Sequence, residues 1–355
     1  MTVFESSDFD QHEHVAFGGD RASGLRAIIA IHNTQLGPAM GGCRMFDYVD
    51  DQAALRDVLR LSRGMTYKSA LAGLPVGGGK SVIIGNPERD KTTALLHAMG
   101  EFIDSLGGRY IAAEDSGIGV DDVALLAQRT PHVSGLAQAN GCGGDPSPST
   151  AYGVYLGIRT AVQQRLGSDS LQGLRVAIQG LGHVGFHLAG LLVADGAQVF
   201  GADVSQAHQR RAAKAHGIEH LPVDQVLTAE VDVLAPCALG AILNARSVES
   251  LRAGIVAGAA NNQLESPGTA DHLQDRGILY CPDFLINAGG IIDVYHQMQG
   301  SDRGSVRAQI ERISATLKEV LYRADRCGRS PQHIAEALAE ETIAAAADAR
   351  KIAAY

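Results

Sequence analysis

Two lysines and an aspartate stand among glycines in the first half of this sequence. Lys80 follows Gly77-Gly78-Gly79 and leads into the apolar run Ser81-Val82-Ile83-Ile84, so its stem is shielded and its ammonium is a candidate acid–base group. Lys68 lies just upstream in Met65-Thr66-Tyr67-Lys68, and Asp115 sits in Ala112-Ala113-Glu114-Asp115-Ser116-Gly117. Two ammonium groups facing one cleft disfavour each other's charge. One can then act as a base near neutral pH while the other binds a carboxylate, with Asp115 as acidic partner. Spacing alone also allows surface lysines and a helix-capping aspartate. Leu74 through Ser81 ends like a phosphate-binding loop, but Leu74 stands where that motif needs glycine, which sets nucleotide hydrolysis aside.

A second constellation is Gly180-Leu181-Gly182-His183-Val184-Gly185, which follows the apolar run Leu174–Gln179 and opens a helical stretch, Phe186 to Ala194. In that context the three glycines permit a tight turn, close approach of a pyrophosphate to a helix N-terminus, and helix-on-strand packing. Asp203, about 20 residues further on, is placed to accept from a ribose 2'-hydroxyl and to repel a 2'-phosphate, which points to NAD rather than NADP. Arg210 and Arg211 read as a solvated helix face. His183 and His187 are four apart but have no third ligand near them, so no metal is expected.

The elements that must position these groups alternate in type. Leu25–His32 is a continuous apolar run suited to a strand covered on both faces. Asp50 and Asp51 cap a helix of about four turns whose end leads into Lys68. A strand at Ser81–Ile84, a helix from Ala94 to Ile103 and a strand at Arg109–Ala113 follow. Gly141–Pro148, rich in glycine and proline, reads as a hinge between domains. Beyond it come a helix (Ala151 to Gln164), then strands at Leu174–Gln179, Gln198–Ala202, Val231–Leu234 and Gly277–Tyr280 in βαβ order, and a final helix from Ser330.

The 355 residues suffice for about two domains. A net charge of −9 repels phosphate backbones and anionic lipid, so neither nucleic acid nor membrane is an expected partner. No apolar run approaches a membrane span and the N-terminus is acidic, so a cytoplasmic protein is expected. The five cysteines are odd in number and far apart, which fits a reducing compartment.

Longer stretches extend these motifs: Gly37-Pro38-Ala39-Met40-Gly41-Gly42-Cys43-Arg44, Gly64 through Lys68, Leu74 through Pro87, Pro146 through Gly153, Ala235 through Gly240, Gly258 through Leu264 and Pro282 through Gly290. In these, over nearly the whole chain, the sequence resembles the glutamate/leucine/phenylalanine/valine dehydrogenase family, most closely its leucine dehydrogenase branch. The resemblance implies an α/β fold of two domains: a substrate-binding and oligomerisation domain at 1–145 and a Rossmann-type NAD-binding domain at 146–325. The C-terminal helices, 326–355, would cross back toward the first. It also implies NAD-dependent, reversible oxidative deamination of an L-amino acid to the 2-oxo acid and ammonia. Lys80 would then activate water, Asp115 would shuttle protons at the amino group, and Lys68 would bind the α-carboxylate.

The same resemblance assigns Gly41, Met65 and Asn262 to substrate binding, with Met40, Ala113, Ser134, Ile291 and Val294 around the substrate side chain. It assigns Gly180, Gly182, His183, Val184, Gly185, Asp203, Thr150, Cys237, Ala238, Ala260, Asn261 and Asn287 to the cofactor. Glutamate-specific relatives have a lysine where Met40 stands, and a substrate carboxylate cannot be buried here without a cation. Phenylalanine-specific relatives tend to have glycine in place of Ala113 and leucine in place of Val294. Leucine, with valine and isoleucine, is therefore the expected substrate. A phenylalanine or tryptophan dehydrogenase is the alternative, and a dinucleotide-binding sensor the non-enzymatic one. The resemblance also implies a homo-oligomer, an octamer or a dimer.

Overall fold

The computed structural model describes residues 3–136, 144–168, 170–238 and 240–353; Gly141–Gly143 of the expected hinge, and Leu239, lie outside them. The chain forms two compact units, one of Met1–Asp145 with Val294–Asp302 and Ala339–Tyr355, the other of Pro146–Asp293 with Arg303–Leu338. The C-terminal part is thus divided more finely than a single line at 325/326: helix Arg303–Cys327 belongs to the second unit and the last residues to the first.

The first unit is built on a five-stranded sheet of order β1-β2-β4-β3-β5, with β1 His14–Asp20, β2 Leu25–Asn33, β3 Ala39–Phe46, β4 Gly77–Ile84 and β5 Tyr110–Ala113. β2 runs antiparallel to both neighbours, and β3 is parallel to β4 and β5. Helix α1 (Asp51–Leu71) covers one face, α2 (Thr93–Asp104) and α3 (Val120–Leu126) the other. Ile28 and Ala30 pack with Val58 and Leu59 of α1, while Ile29 and Ile31 pack with Leu96, Met99 and Ile103 of α2. That two-sided burial is why β2 is apolar at consecutive positions.

Three local expectations are corrected. Asp50 does cap α1, accepting from the Ala53 N–H, but the helix runs for 21 residues, so Lys68 lies in its last turn rather than beyond it. The strand expected from Ser81 begins at Gly77, so the three glycines and Lys80 are themselves strand residues. Glycines are depleted in strands, but here they are sterically required: a Cβ on Gly78 would lie 2.1 Å from the Thr66 nitrogen of α1, and one on Gly77 2.1 Å from the Asn33 carbonyl oxygen. Strands β1 and β3 have no clean alternation and were not anticipated.

The second unit holds an all-parallel six-stranded sheet of order β11-β10-β9-β6-β7-β8: β6 Arg175–Gln179, β7 Gln198–Ala202, β8 Glu219–His220, β9 Val233–Pro236, β10 Ile255–Val256 and β11 Leu279–Tyr280. Its helices are α4 (Ser147–Leu166), α5 (His183–Ala194), α6 (Gln206–His216), α7 (Ala245–Ser250), α8 (Gly268–Asp275), α9 (Asp283–Ile286), the first part of α10 (Gly289–Gln299), α11 (Arg303–Cys327) and the first part of α12 (Pro331–Ala353). Helix α4 starts at Ser147, four residues before its expected start. Pro148 is tolerated there because the first turn of a helix has no internal use for that N–H. Likewise α5 starts at His183, directly on the glycine loop. No helix among the described residues is long and apolar enough to cross a membrane.

Candidate active site

Lys80, in the middle of β4, has only 4% of its side chain exposed, and its Nζ lies 2.6 Å from Asp115 Oδ2. Asp115 follows β5 in a tight turn closed by reciprocal backbone hydrogen bonds with Ile118. Burial disfavours the charge of this carboxyl, but the Lys80 ammonium and then the Arg44 guanidinium outweigh it and hold Asp115 well below the usual carboxylate range. The pair is within proton-transfer distance.

The first unit also holds other predicted residues. Gly41 and Gly42 lie on β3, paired with Ala112 and Ala113 of β5; Met40 pairs with Gly78 and Ile111. The Tyr110 hydroxyl donates to the Gly41 carbonyl at 2.8 Å, fixing the glycine pair from below. A Cβ on Gly41 would meet the Met65 side chain at 3.3 Å, so α1 and β3 touch there. Met40, Ala113 and Ser134 are buried, and the Ser134 N–H donates to Ala112 O at 2.8 Å. Lys68 is buried on α1, two residues after Thr66, whose backbone rests on Gly78 of β4. Val294 is grouped with this unit, while Ile291 is grouped with the second; three residues apart on α10, both are buried.

In the second unit the glycine loop has the steric profile of a dinucleotide cradle. Gly180 has φ +94°, and a Cβ there would lie 2.9 Å from the Ala238 nitrogen; one on Gly185 would lie 1.9 Å from the Gly180 carbonyl oxygen. Gly182, by contrast, has open space beside it and stands at the N-cap of α5, where a side chain would otherwise crowd the approach to the helix N-terminus. Crowding at the turn and packing glycines together with room at the middle one fit a bound pyrophosphate. Asp203 accepts from the Leu181 N–H and the Ser205 N–H, each at 2.7 Å, which holds it at the loop. Arg210 reaches Gln206 on its own helix, as expected of a helix face, but Arg211 does not stay there: it lies 4.2 Å over the Phe186 ring of α5 and donates to the Gly182 carbonyl of the glycine loop at 3.4 Å.

The remaining predicted residues of this unit lie along the strand ends. The Cys237 N–H donates to Gln179 O, and the Ala260 N–H to Pro236 O. Asn287 Nδ2 donates to Ala259 O and to Asn261 Oδ1. Asn262 takes φ +51°, and its carbonyl accepts from the Ala241 N–H. Thr150 Oγ1 bonds Pro146 O, and Gly290 leaves it space: a Cβ there would lie 2.4 Å from that oxygen. Among the described residues no group of three His, Cys, Asp or Glu side chains could hold a metal.

Two groups beside Lys80 and Asp115 were not singled out from the sequence. Arg44 donates from Nε to Asp115 Oδ2 at 2.9 Å and from Nη1 to Asp57 Oδ2 at 2.9 Å. Its position two residues after Gly42 on one strand was the available signal, since alternate strand residues share a face. Glu114 has its pKa raised to about 7 by burial, then by Asp145 and Asp115.

Two family models match the chain: "Glu/Leu/Phe/Val dehydrogenase, dimerisation domain" over residues 12–132, and "Glutamate/Leucine/Phenylalanine/Valine dehydrogenase" over residues 202–351. Leucine dehydrogenase of Bacillus cereus is 43% identical over 350 residues, covering 99% of this chain and 96% of the relative. L-tryptophan dehydrogenase of Nostoc punctiforme is 45% identical over 344 residues, covering 97% and 96%. Valine dehydrogenase of Streptomyces virginiae is 44% identical over 345 residues, covering 96% of each. The crystal structure of the Nostoc punctiforme enzyme aligns with a TM-score of 0.77 over 95% of this chain and 97% of that one.

Proposed function

This chain belongs to the glutamate/leucine/phenylalanine/valine dehydrogenase family and is a nicotinamide-nucleotide-dependent amino-acid dehydrogenase, and from that premise we propose that it oxidatively deaminates branched-chain L-amino acids with NAD. The observation that carries the chemistry is the buried Lys80–Asp115 pair at 2.6 Å. Lys68 neutralises the substrate α-carboxylate, and Asp115 takes a proton from the substrate ammonium, freeing the amine lone pair. The Gly180–Gly185 loop and Asp203 would hold the dinucleotide, which would supply the hydride acceptor for the α-carbon. Lys80 then removes a proton from the water that attacks the resulting imine; returning that proton to the nitrogen and taking up the proton of the new hydroxyl forms the carbonyl and releases ammonia. In reverse the same groups aminate a 2-oxo acid.

The aliphatic preference rests on Met40, Ala113, Ile291 and Val294, all buried and apolar, with no cation among them for a side-chain carboxylate. A tryptophan or phenylalanine dehydrogenase is the second reading, favoured by the similarity to the Nostoc punctiforme enzyme. We also propose a cytoplasmic homo-oligomer, octamer or dimer. The match of residues 12–132 to a dimerisation-domain model supports the assembly, and the four described cysteines, all free thiols, support the compartment.

The test is NADH formation at alkaline pH with L-leucine, valine, isoleucine, phenylalanine, tryptophan and glutamate, repeated with NADP and with Lys80→Ala, alongside light scattering for mass. Turnover of the branched-chain substrates with NAD, lost in Lys80→Ala, is expected. A higher kcat/KM for phenylalanine or tryptophan than for leucine and valine would move the assignment to the second reading, and a monomer would contradict the assembly.

A further inference from the structure

Asp115 is held by two cations of different character. Lys80 reaches its Oδ2 at 2.6 Å from β4, and Arg44 Nε reaches the same oxygen at 2.9 Å from β3. Arg44 is itself pinned: its Nη1 bonds Asp57 Oδ2 of α1 at 2.9 Å, and that oxygen also accepts from the Tyr48 hydroxyl at 2.6 Å. The result is a chain Tyr48–Asp57–Arg44–Asp115–Lys80 in which Arg44 and Asp115 each have only 16% of the side chain exposed and Asp57 24%.

The two cations differ in what they can do during turnover. A lysine that works as a base must at some point be neutral, and a buried aspartate whose only cation has just lost its charge is driven to take up a proton itself. A guanidinium does not lose its proton in a protein. The flanking carboxylates Asp115 and Asp57 hold Arg44 still more firmly protonated against its burial. We propose that Arg44 is the positioning residue of this site: pinned by Asp57 and Tyr48, it is the permanent cation that keeps Asp115 ionised and oriented while Lys80 has given up its proton. The proposal rests on the roles given above to Lys80 and Asp115.

The groups facing Asp115 set the sign of the effect. From β4 comes Lys80, from β3 Arg44 and the Cys43 thiol, which burial pushes up to about 12 and so keeps neutral. From the preceding strand β5 comes the Tyr110 phenol, also kept neutral by burial, and Glu114, the residue before Asp115, adds a second carboxyl. Removing Arg44 therefore leaves Asp115 buried between one titrating cation and one like charge. Its proton affinity rises.

The deciding experiment pairs two readouts on the full-length protein. Aspartate γ-carboxyls are labelled with 13C and titrated by NMR, with Asp115→Asn assigning the resonance. The pH profile of kcat/KM for L-leucine with NAD is measured on the same variants. In Arg44→Gln the Asp115 titration should move up by ~1–3 pH units. Plateau kcat should fall ~10-fold or more while NAD affinity is unchanged. Arg44→Lys restores the titration but not the plateau, because one ammonium cannot bridge both carboxylates. If Arg44→Gln does not fold, Asp57→Asn, which leaves Arg44 in place but frees it, should shift both readouts in the same direction by less. An unmoved carboxyl titration, or a moved titration with an unchanged plateau kcat, overturns the proposal. A wild-type protein that turns over no amino acid would refute the functional reading, and the carboxyl titration would still decide the part assigned to Arg44.

Discussion

Lys80 lies on one of the strands that flank β3 and Asp115 just beyond the end of the other, and they meet because β3 carries Gly42 at the crossing point. A Cβ on Gly42 would stand 2.7 Å from Asp115 Cβ and 3.0 Å from Lys80 Nζ. The contact between the two charged groups is therefore a property of three strands and one missing side chain. Gly42→Ala should lower kcat by ~10²-fold, the scale of loss that a displacement of about 1 Å produces in an active site. NAD affinity, which depends on the other unit, should stay unchanged. Steady-state kinetics with isothermal titration of NAD would check this, and a near-normal kcat would mean that the Lys80–Asp115 contact is not required.

Lys80→Ala and Asp115→Asn should each reduce kcat by ~10²–10⁴-fold, the usual range for a positioned acid or base. Because the two act through one contact, the double variant should be little worse than the poorer single one. Multiplicative losses in kcat would show that they act independently.

How much of this was legible in the sequence differs between the two units. The glycine loop was the more legible, because its motif announces itself by the strand before it and the helix after it, and Gly185 packs against the Gly180 carbonyl within the same motif, although Gly180 turns against Ala238, far along the chain. The first unit was harder. Gly77, Gly78 and Gly79 look like a flexible loop in sequence, yet they are strand residues whose missing side chains admit Asn33, Thr66 and Tyr110, all distant along the chain. The residues Lys80 and Asp115 could be named, but their contact depends on strand order, which no spacing encodes. Arg44 was visible in the glycine motif without a role, since its partners Asp57 and Asp115 lie on an adjacent helix and beyond a neighbouring strand.

Asp203 has two duties that a variant would separate. Its carboxylate accepts from the Leu181 N–H of the glycine loop and from the Ser205 N–H two residues on, and in the proposed complex it also meets the adenosine ribose. Asp203→Ser should lower NAD affinity and narrow its preference over NADP, because the repulsion of a 2'-phosphate is gone. Stability should fall by ~1–3 kcal/mol as the loop N–H groups lose their acceptor. An unchanged ratio of kcat/KM for NAD and NADP would place the ribose elsewhere.

The side-chain pocket is tested by exchange. Ala113→Gly with Val294→Leu should raise kcat/KM for phenylalanine relative to leucine, by an amount on the scale of ~1–3 kcal/mol in transition-state energy, since only methylene-sized volumes change. An unmoved ratio would show that these residues do not line the substrate side chain.

A last prediction concerns acid. His12 and His32 lie together in the first unit with ring centroids 4.8 Å apart, and both are buried. His12 Nδ1 accepts from the Asp10 N–H, so Nε2 carries the proton and donates toward Leu59 O and Ser62 Oγ; His32 Nδ1 bonds Thr66 Oγ1 at 2.8 Å. These bonds suit neutral rings. Burial, then the neighbouring His12, lowers the His32 pKa from 6.5 to about 3, against a weaker opposing pull from Asp10, and burial lowers that of His12 as well. The unfolded chain therefore binds protons that the folded chain refuses. The stability that His32 contributes is complete above pH 6.5 and is lost as pH falls toward 3, at up to ~1.4 kcal/mol per pH unit, and His12 adds to it in the same direction. Urea unfolding at several pH values should show that slope in the wild type and a shallower one in His32→Gln. Because His32 is bonded to Thr66 on the turn of α1 that ends in Lys68, acid should also weaken amino-acid binding before global unfolding. Equal slopes in the two proteins would mean that the histidine pair is charged in the folded state.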